Sequence, residues 1–588
     1  MAVRDAARAG ADPLTKSNFL PCFQGLSVIS FVSATVLLAA TAASADPAAP
    51  IYSAPPRSVQ PGHERPLPPQ APPPEFDFSI EAPQRAPVPR AVDEIHFQLK
   101  DIRIDGARTL PADSFRPLYQ GLIGHDVTLS DILNVADGIE AEYKKQGYLL
   151  VRAYVPPQHV KDGIFTIKVV EGFVADTSVV GGRPAEQRQI QAYLEPLKNE
   201  RPLRLATIER ALLLSNDIPG VSATGVLRPA ANTPGASELV VTIVQPRVIN
   251  ALSLDNRGSD FSGIWTVTGS STINSIFGND QLTSTIAASP HSLEQIAGQL
   301  QYQRLIGDSG LIGSLLLAAS KGSPGSTLGT LDVRTDSWAV GPRLTYPLIR
   351  TREQTLLLDG GFTFQDAKID ILGAPISHDR WRVLDVGLSY TRTDPVGGLF
   401  SGVIDIAQGL PIFGATPNDS PEISQGGKTD FTKVTGNAHY VVPVVQPVSV
   451  AMAIQGQYSF NPLITGEQIL YGGTQIGRGY DPGAITGDRG IGTSFEVRYD
   501  THAPRLWADN VQPYAFFDAA RTWFIKRPAV FGPALGDFSI ASTGAGVRAW
   551  FPYNIYTDFE VASTLRAVPG SDNGKRATKF LMDVAITF

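Results

Sequence analysis

From Pro246 to Phe588 the sequence holds no convincing long helix, yet segment after segment alternates between two kinds of side chain. Leu356, Leu358, Phe362 and Phe364 interleave with Leu357, Asp359, Thr363 and Gln365. Leu384, Val386, Leu388 and Tyr390 interleave with Val383, Asp385, Gly387 and Ser389, and Trp338, Val340, Leu344 and Tyr346 with Ala339, Gly341, Arg343 and Thr345. Successive side chains of a strand point to opposite faces, so each segment is a strand with one apolar face and one polar or small one. About 16 such segments can be placed, each of roughly 10 residues, the length that crosses a bilayer at a tilt. In the last, Phe580, Met582, Val584, Ile586 and Phe588 face one way, and Lys579, Asp583, Ala585 and Thr587 the other. Strands in a membrane must close on themselves, because backbone polar groups facing lipid have to be paired. The expected fold of 246–588 is therefore a membrane all-β barrel of about 16 antiparallel strands. A soluble β-sandwich with one wet face is the alternative, but it does not explain one long array with a terminal aromatic strand.

The N-terminal end reads as export and spacing. Val28 to Ala43 is continuously apolar or small, and Ala43-Ser44-Ala45 forms an A-x-A cleavage site, so 1–45 is expected to be a signal peptide. Arg4, Arg8 and Lys16 are diluted by Asp5 and Asp12 in an unusually long leading region, which a start codon assigned too far upstream would explain. Residues 46–92 are dominated by proline and read as an extended, polyproline-like spacer, disordered rather than a plug. The single cysteine, Cys22, falls in the segment expected to be removed, leaving no disulfide framework.

Two small α/β modules of order β-α-α-β-β are expected between spacer and barrel, at 93–172 and 173–245. In the first, the stretch from Ile95 to Gly106 reads as a strand and turn, Pro111 to Gln120 as a short helix, and Leu129, Ile132, Val135, Ala136, Ile139 and Tyr143 as one face of a second helix. Thr128 is its expected N-cap, with Asp131 at the third helical position and Gly147 at the end. Leu149–Val155 and Ile164–Val170 close the module. In the second, Ser178 to Gly181 closes a strand, Glu186–Glu195 and Leu205–Asn216 read as helices, and Val221–Arg228 and Glu238–Val244 as the closing strand pair. Two tandem copies of one order argue for related modules.

The stretch from Tyr471 to Asp500 joins a long glycine-rich loop to a strand. Ile491, Thr493, Phe495, Val497 and Tyr499 occupy one face of that strand, and Gly492, Ser494, Glu496, Arg498 and Asp500 the other. The charged face fits a watery lumen, making Glu496 and Arg498 lumen-facing supports. Long loops without secondary structure are usually functional, and this one is expected to fold back into the lumen. On the next strand, period two puts Phe516, Asp518 and Ala520 on one face.

These residues carry a resemblance. Tyr143-x-x-x-Gly147-Tyr148, Pro157-Gln158, Asp162-Gly163 and Glu171-Gly172 resemble the first POTRA domain of the two-partner secretion transporters, the ShlB/FhaC/HecB (TpsB) family. The run Glu209 to Gly220 resembles the second POTRA domain, and Ala251 to Ser259 the opening barrel strand. Gly477-Arg478-Gly479-Tyr480 corresponds to the family's VRGY or VRGF loop, with Gly477 for valine, and Phe516-x-Asp518-x-Ala520 to its F-x-D-x-G signature, with Ala520 for glycine. The resemblance spans about residue 93 to the C-terminus. It implies an outer-membrane transporter with periplasmic POTRA domains that takes an unfolded, hemolysin- or adhesin-like TpsA exoprotein, and it implies that Arg478 pairs with Asp518 inside the barrel. An extended chain could add to an exposed sheet edge of a module. Outer-membrane lipids and the barrel-assembly machinery, which reads terminal aromatic strands, are the further expected partners.

Other functions fit less well. A barrel-assembly factor of the same superfamily usually carries more POTRA units, and a solute-diffusion pore needs little periplasmic content. Net charge is −7 and only 18% of residues are charged, which gives nucleic acid no basic surface. The eight histidines, His291, His378, His439 and His502 among them, make no metal-ligand spacing, and neither a phosphate-binding loop nor a G-x-S-x-G elbow is present. No cofactor, no metal and no enzymatic activity are expected.

Overall fold

The computed structural model describes residues 78–80, 96–160, 163–230, 233–290, 294–503, 508–527, 536–567 and 576–588. The expected signal peptide, Cys22 and nearly all of the proline-rich spacer lie outside these residues.

The spacer nonetheless contributes one strand, β1 (Phe78–Ile80). The first module follows as β2 (His96–Gln98), β3 (Asp101–Asp105), β4 (Asp126–Thr128), α1 (Leu129–Lys145), β5 (Val151–Tyr154) and β6 (Ile164–Glu171). Its sheet runs β3-β6-β5, with β3 parallel and β5 antiparallel to β6, while β2 pairs with β4. Helix α1 buries Ile132, Val135, Ala136, Ile139 and Tyr143 against Ile102, Val151, Phe165, Ile167 and Val169. Its start is the capping box expected at Thr128: the Asp131 amide donates to Thr128 Oγ1 at 3.2 Å and the Thr128 amide to Asp131 Oδ2 at 2.8 Å.

Two expectations for this module need correction. The strand read from Ile95 to Gly106 is broken at Leu99, which is fully buried and bonds the loop at His125 and Gly124 instead of continuing a ladder. The helix read at Pro111 to Gln120 is a 3-10 turn over Ala112–Leu118, because Pro117 has no amide to donate and interrupts an α ladder. The order is thus β-β-β-α-β-β with two 3-10 segments, Ala112–Leu118 and Gln120–Leu122, not β-α-α-β-β.

The second module has the expected order: β7 (Phe173–Gly181), α2 (Pro184–Leu194), α3 (Leu205–Asn216), β8 (Ser222–Pro229) and β9 (Ala236–Val244). Its sheet order is β1-β8-β9-β7, so the spacer strand adds in parallel to β8, Phe78 opposite Gly225 and Ile80 opposite Leu227. The reading of that spacer as wholly disordered is corrected here. Phe78 packs against the module core of Ile190, Leu194, Leu212, Leu239 and Val241. The module is also fastened to the barrel. Arg350 forks onto Asp217 with Nε and Nη2 at 2.9 and 2.7 Å, buried Glu186 accepts the Asn279 amide at 3.0 Å, and Leu305 and Ile312 join the module's core.

The barrel begins with eleven consecutive antiparallel strands: β10 (Val248–Asp255), β11 (Thr266–Asn274), β12 (Asp280–Ala288), β13 (Gln295–Ile306), β14 (Leu311–Gly322), β15 (Arg334–Arg350), β16 (Gln354–Ile371), β17 (Ala374–Thr393), β18 (Leu399–Gly409), β19 (Thr432–Val445) and β20 (Val448–Ser459). The glycine-rich loop follows and carries a small hairpin, β21 (Ile469–Tyr471) with β22 (Ile485–Gly487). Then come β23 (Arg489–Tyr499) with its continuation β24 (Thr501–Ala503), β25 (Ala508–Trp523), β26 (Phe538–Phe551), β27 (Ile555–Thr564) and β28 (Thr578–Thr587). Strand β28 closes on β10 from Ala251 opposite Thr587 to Asp255 opposite Asp583. With β23 and β24 taken as one, the closed barrel has 16 strands among the described residues. Large apolar side chains such as Leu252, Ile286, Leu344, Val386, Ile406 and Phe495 stand exposed on the outer face, as they must where the solvent is lipid. Among the described residues no helix is long and apolar enough to cross a membrane.

Candidate functional site in the barrel lumen

The loop between β20 and β23 enters the barrel and packs on its wall. Ile469, Tyr471, Ile476, Tyr480 and Ile485 form a buried cluster with Ala520 of β25 and Phe538 and Ile540 of β26. The Ala520 methyl, where the resembled signature has glycine, fills this contact. Gly477 has φ +87°, a conformation that side-chain-bearing residues rarely adopt. At Gly479 a Cβ would stand 3.1 Å from Ser542 Cβ and from the Ser563 backbone, so the loop touches the wall there. The Tyr480 hydroxyl lies 3.0 Å from the carbonyl oxygens of both Ala541 and Arg566 and donates to one at a time.

These contacts deliver Arg478, 6% exposed, to Asp518, 0% exposed. Arg478 Nε donates to Asp518 Oδ2 and Nη2 to Oδ1, both at 3.0 Å, and the amides of Gly477 and Arg478 donate to Oδ2 at 3.2 and 3.1 Å. A planar guanidinium matches a carboxylate in this two-bond fork, which lysine cannot reproduce. Arg478 Nη1 also contacts Glu496 Oε2 at 2.8 Å and Glu560 Oε2 at 3.4 Å, and Nη2 donates to Ser494 Oγ at 3.2 Å. Phe516 lies beneath, its ring centroid 3.4 Å from the guanidinium carbon.

The pair sits in a wider charge lattice. Glu496 accepts from Arg498 Nε at 2.6 Å and from Arg548 at 2.7 and 3.1 Å. Arg548 stacks on Tyr514 at 3.8 Å, and the Tyr514 hydroxyl lies 2.8 Å from both Asp558 and Glu560. Arg257 stands 3.4 Å from each of these two acids. Four guanidinium groups (Arg257, Arg478, Arg498, Arg548) therefore face Glu496, Asp518, Asp558 and Glu560, with buried Asp255 accepting the Arg257 amide, so each buried guanidinium has an acid beside it.

The structure thus gathers Gly477, Arg478, Gly479, Tyr480, Glu496, Arg498, Phe516, Asp518 and Ala520 in one place. Sequence reasoning gave no site role to Arg257, Ser494, Tyr514, Arg548, Asp558 or Glu560. A signal was present for two of them: Asp558 and Glu560 are two apart in an alternating segment, on the face opposite Phe559 and Val561. What it could not show is that β27 lies close enough to β23 and β25 for these acids to meet Arg478. Among the described residues no cluster of His, Cys, Asp and Glu is arranged to hold a metal ion.

A family model described as haemolysin secretion/activation protein ShlB/FhaC/HecB matches residues 235–549, and a ShlB-type POTRA domain model matches 97–172. The chain is 24% identical over 420 residues to the heme/hemopexin transporter protein HuxB of Haemophilus influenzae (strain 86-028NP), covering 68% of this chain and 73% of that protein. It is 23% identical over 414 residues to the hemolysin transporter protein ShlB of Serratia marcescens, covering 66% and 71%. CdiB from Escherichia coli has a similar fold, with a TM-score of 0.64 at 18% identity over 86% of this chain and 93% of that one. BamA from Haemophilus ducreyi lacking POTRA domains 1–3 shares the fold more distantly, with a TM-score of 0.52 at 13% identity, covering 84% and 100%. With its closed 16-strand barrel and preceding POTRA region, the chain belongs to the ShlB/FhaC/HecB haemolysin secretion/activation family of two-partner secretion transporters, outer-membrane barrels whose POTRA domains lie in the periplasm.

Proposed function

We propose that this transporter captures one large TpsA-like exoprotein, hemolysin- or adhesin-like, in unfolded form on its POTRA domains and passes it through its own barrel as an extended chain. The lumen loop governs that passage, and Arg478, forked onto Asp518, is its latch. The observation that carries the reading is this buried fork in the interior of a closed barrel, on a loop long enough to occupy the lumen. An extended polypeptide offers the POTRA sheets backbone donors and acceptors whatever its sequence, so capture by strand addition needs no sequence code. Folding outside the cell gives the transit its direction. The apolar outer belt takes outer-membrane lipid, and the terminal strand β28 is the segment offered to the barrel-assembly machinery.

The test is co-expression of this chain with a large exoprotein encoded beside it, assayed for release at the cell surface. Release that depends on this chain supports the reading. Equal release without it removes the reading in favour of an assembly factor or a solute pore.

A further inference from the structure

The loop that carries Arg478 is held a second time, on the other side of its own stem. The stem strands are β20 and β23. From them Arg478 reaches forward to β23, β25 and β27. Glu467, eleven residues earlier, reaches backward to β16, β17 and β19. Its carboxylate is buried, 8% exposed. Oε1 accepts from the indole Nε1 of Trp381 at 2.6 Å and from Gln365 Nε2 at 3.4 Å, and Oε2 meets Lys433 Nζ at 2.7 Å. The backbone is held as well: the Glu467 carbonyl accepts from Lys433 Nζ and from Gln457 Nε2, both at 3.0 Å. Around this point Leu463 and Ile464, both fully buried, pack with Trp381, Val383, Ala407 and Phe431.

We infer that Glu467 is a second positioning residue of the lumen loop, and that the loop is a brace anchored on both sides of its stem rather than a flap held at its tip. The inference rests on the reading that this loop governs passage. Three features favour it over ordinary wall packing. Glu467 belongs to the loop and all three of its side-chain partners belong to the wall, so the contact exists only while the loop is inside. The carboxylate satisfies two donors and a cation at once in a dry setting, where leaving any of them alone is unfavourable. And the indole N–H of Trp381, on the inward face of β17 with Ser377, Asp379, Val383 and Asp385, points at the loop's carboxylate. The two anchors share no partner residue, so release of one leaves the other in place. Full withdrawal of the loop requires both to open.

The experiment uses the full chain in a Cys22→Ser background, with Gln475→Cys placing one thiol at an exposed position of the loop. Glu467→Gln keeps the size and loses the charge, and Trp381→Phe removes one donor. Heat-modifiable mobility confirms that each barrel has closed. The rate of thiol labelling at position 475 reads the loop, and conductance in planar bilayers reads the pore. Both variants are expected to speed labelling by about threefold or more, because the held conformation opens more often. Combining either with Arg478→Ala is expected to exceed each single change. Parent-like labelling in Glu467→Gln and Trp381→Phe, with faster labelling in Arg478→Ala, overturns the second anchor. Should Glu467→Gln fail to close its barrel, Trp381→Phe alone decides the matter. Faster labelling with parent-like conductance in every variant upholds the anchor and removes the reading that the loop governs passage.

Discussion

Asp217, at the end of helix α3, receives a two-pronged contact from Arg350 at the periplasmic end of β15, with nitrogen–oxygen distances of 2.9 and 2.7 Å. This pair fixes the second POTRA domain to the barrel across 133 residues of sequence. Arg350→Ala removes about 1.5 kcal/mol of docking, the lower end for hydrogen bonds to charged groups, since both side chains keep some exposure. The barrel is expected to assemble normally. Hydrogen exchange is expected to quicken at the helix end around Leu213 to Gly220 and to stay unchanged in β16 and β17.

The first POTRA domain should lose stability in acid through Glu171. Burial pushes this carboxyl up, but the amides of Thr109 and Arg108, the Thr109 hydroxyl and the Tyr143 hydroxyl, 2.7 Å away, outweigh it and hold it below its ordinary value of 4.5. A depressed carboxylate contributes stability above its unfolded value and loses it as pH falls through the folded one. Corrected for the intrinsic pH dependence of amide exchange, the opening of residues 96–160 is therefore expected to be constant from neutral pH down to about 5 and to rise below about 4.5. Glu171→Gln should weaken the domain at neutral pH and flatten that rise.

The spacer strand makes a sharper claim about a small contact. Phe78 rests on the groove between Leu212 and β8, where Gly225 offers no side chain. Phe78→Asp is expected to cost roughly 1–2 kcal/mol of local docking through lost apolar burial. Exchange should quicken at Val226 and Leu227 and remain slow in β9, with barrel closure unaffected.

The barrel was legible because a strand between lipid and water must alternate, and Leu384 to Tyr390 does so without exception. Helix α1 was legible because Thr128 and Asp131 cap it locally. What escaped the sequence depended on distant partners. Leu99 breaks a strand because its backbone bonds His125 and Gly124, which no local pattern reveals. Phe78-Ser79-Ile80 is three residues among prolines, too short for periodicity to register. In the lumen, Arg478 and Asp518 stand out only through a resemblance. Glu560 and Trp381 reach the loop across 82 and 86 residues of chain, and Arg548 reaches Glu496 beside it, relationships that only the folded barrel creates.

The most direct test of the account is exoprotein release by Arg478→Ala, Asp518→Ala and the double variant, at matched levels of closed barrel in the outer membrane. Removing one partner of a buried ion pair costs roughly 3–5 kcal/mol, enough for the loop to give way while the barrel stands. Each single change is expected to cut release about tenfold or more, and the double to do little more harm than the worse single, because one interaction is lost once. Normal release by both single variants would contradict the latch.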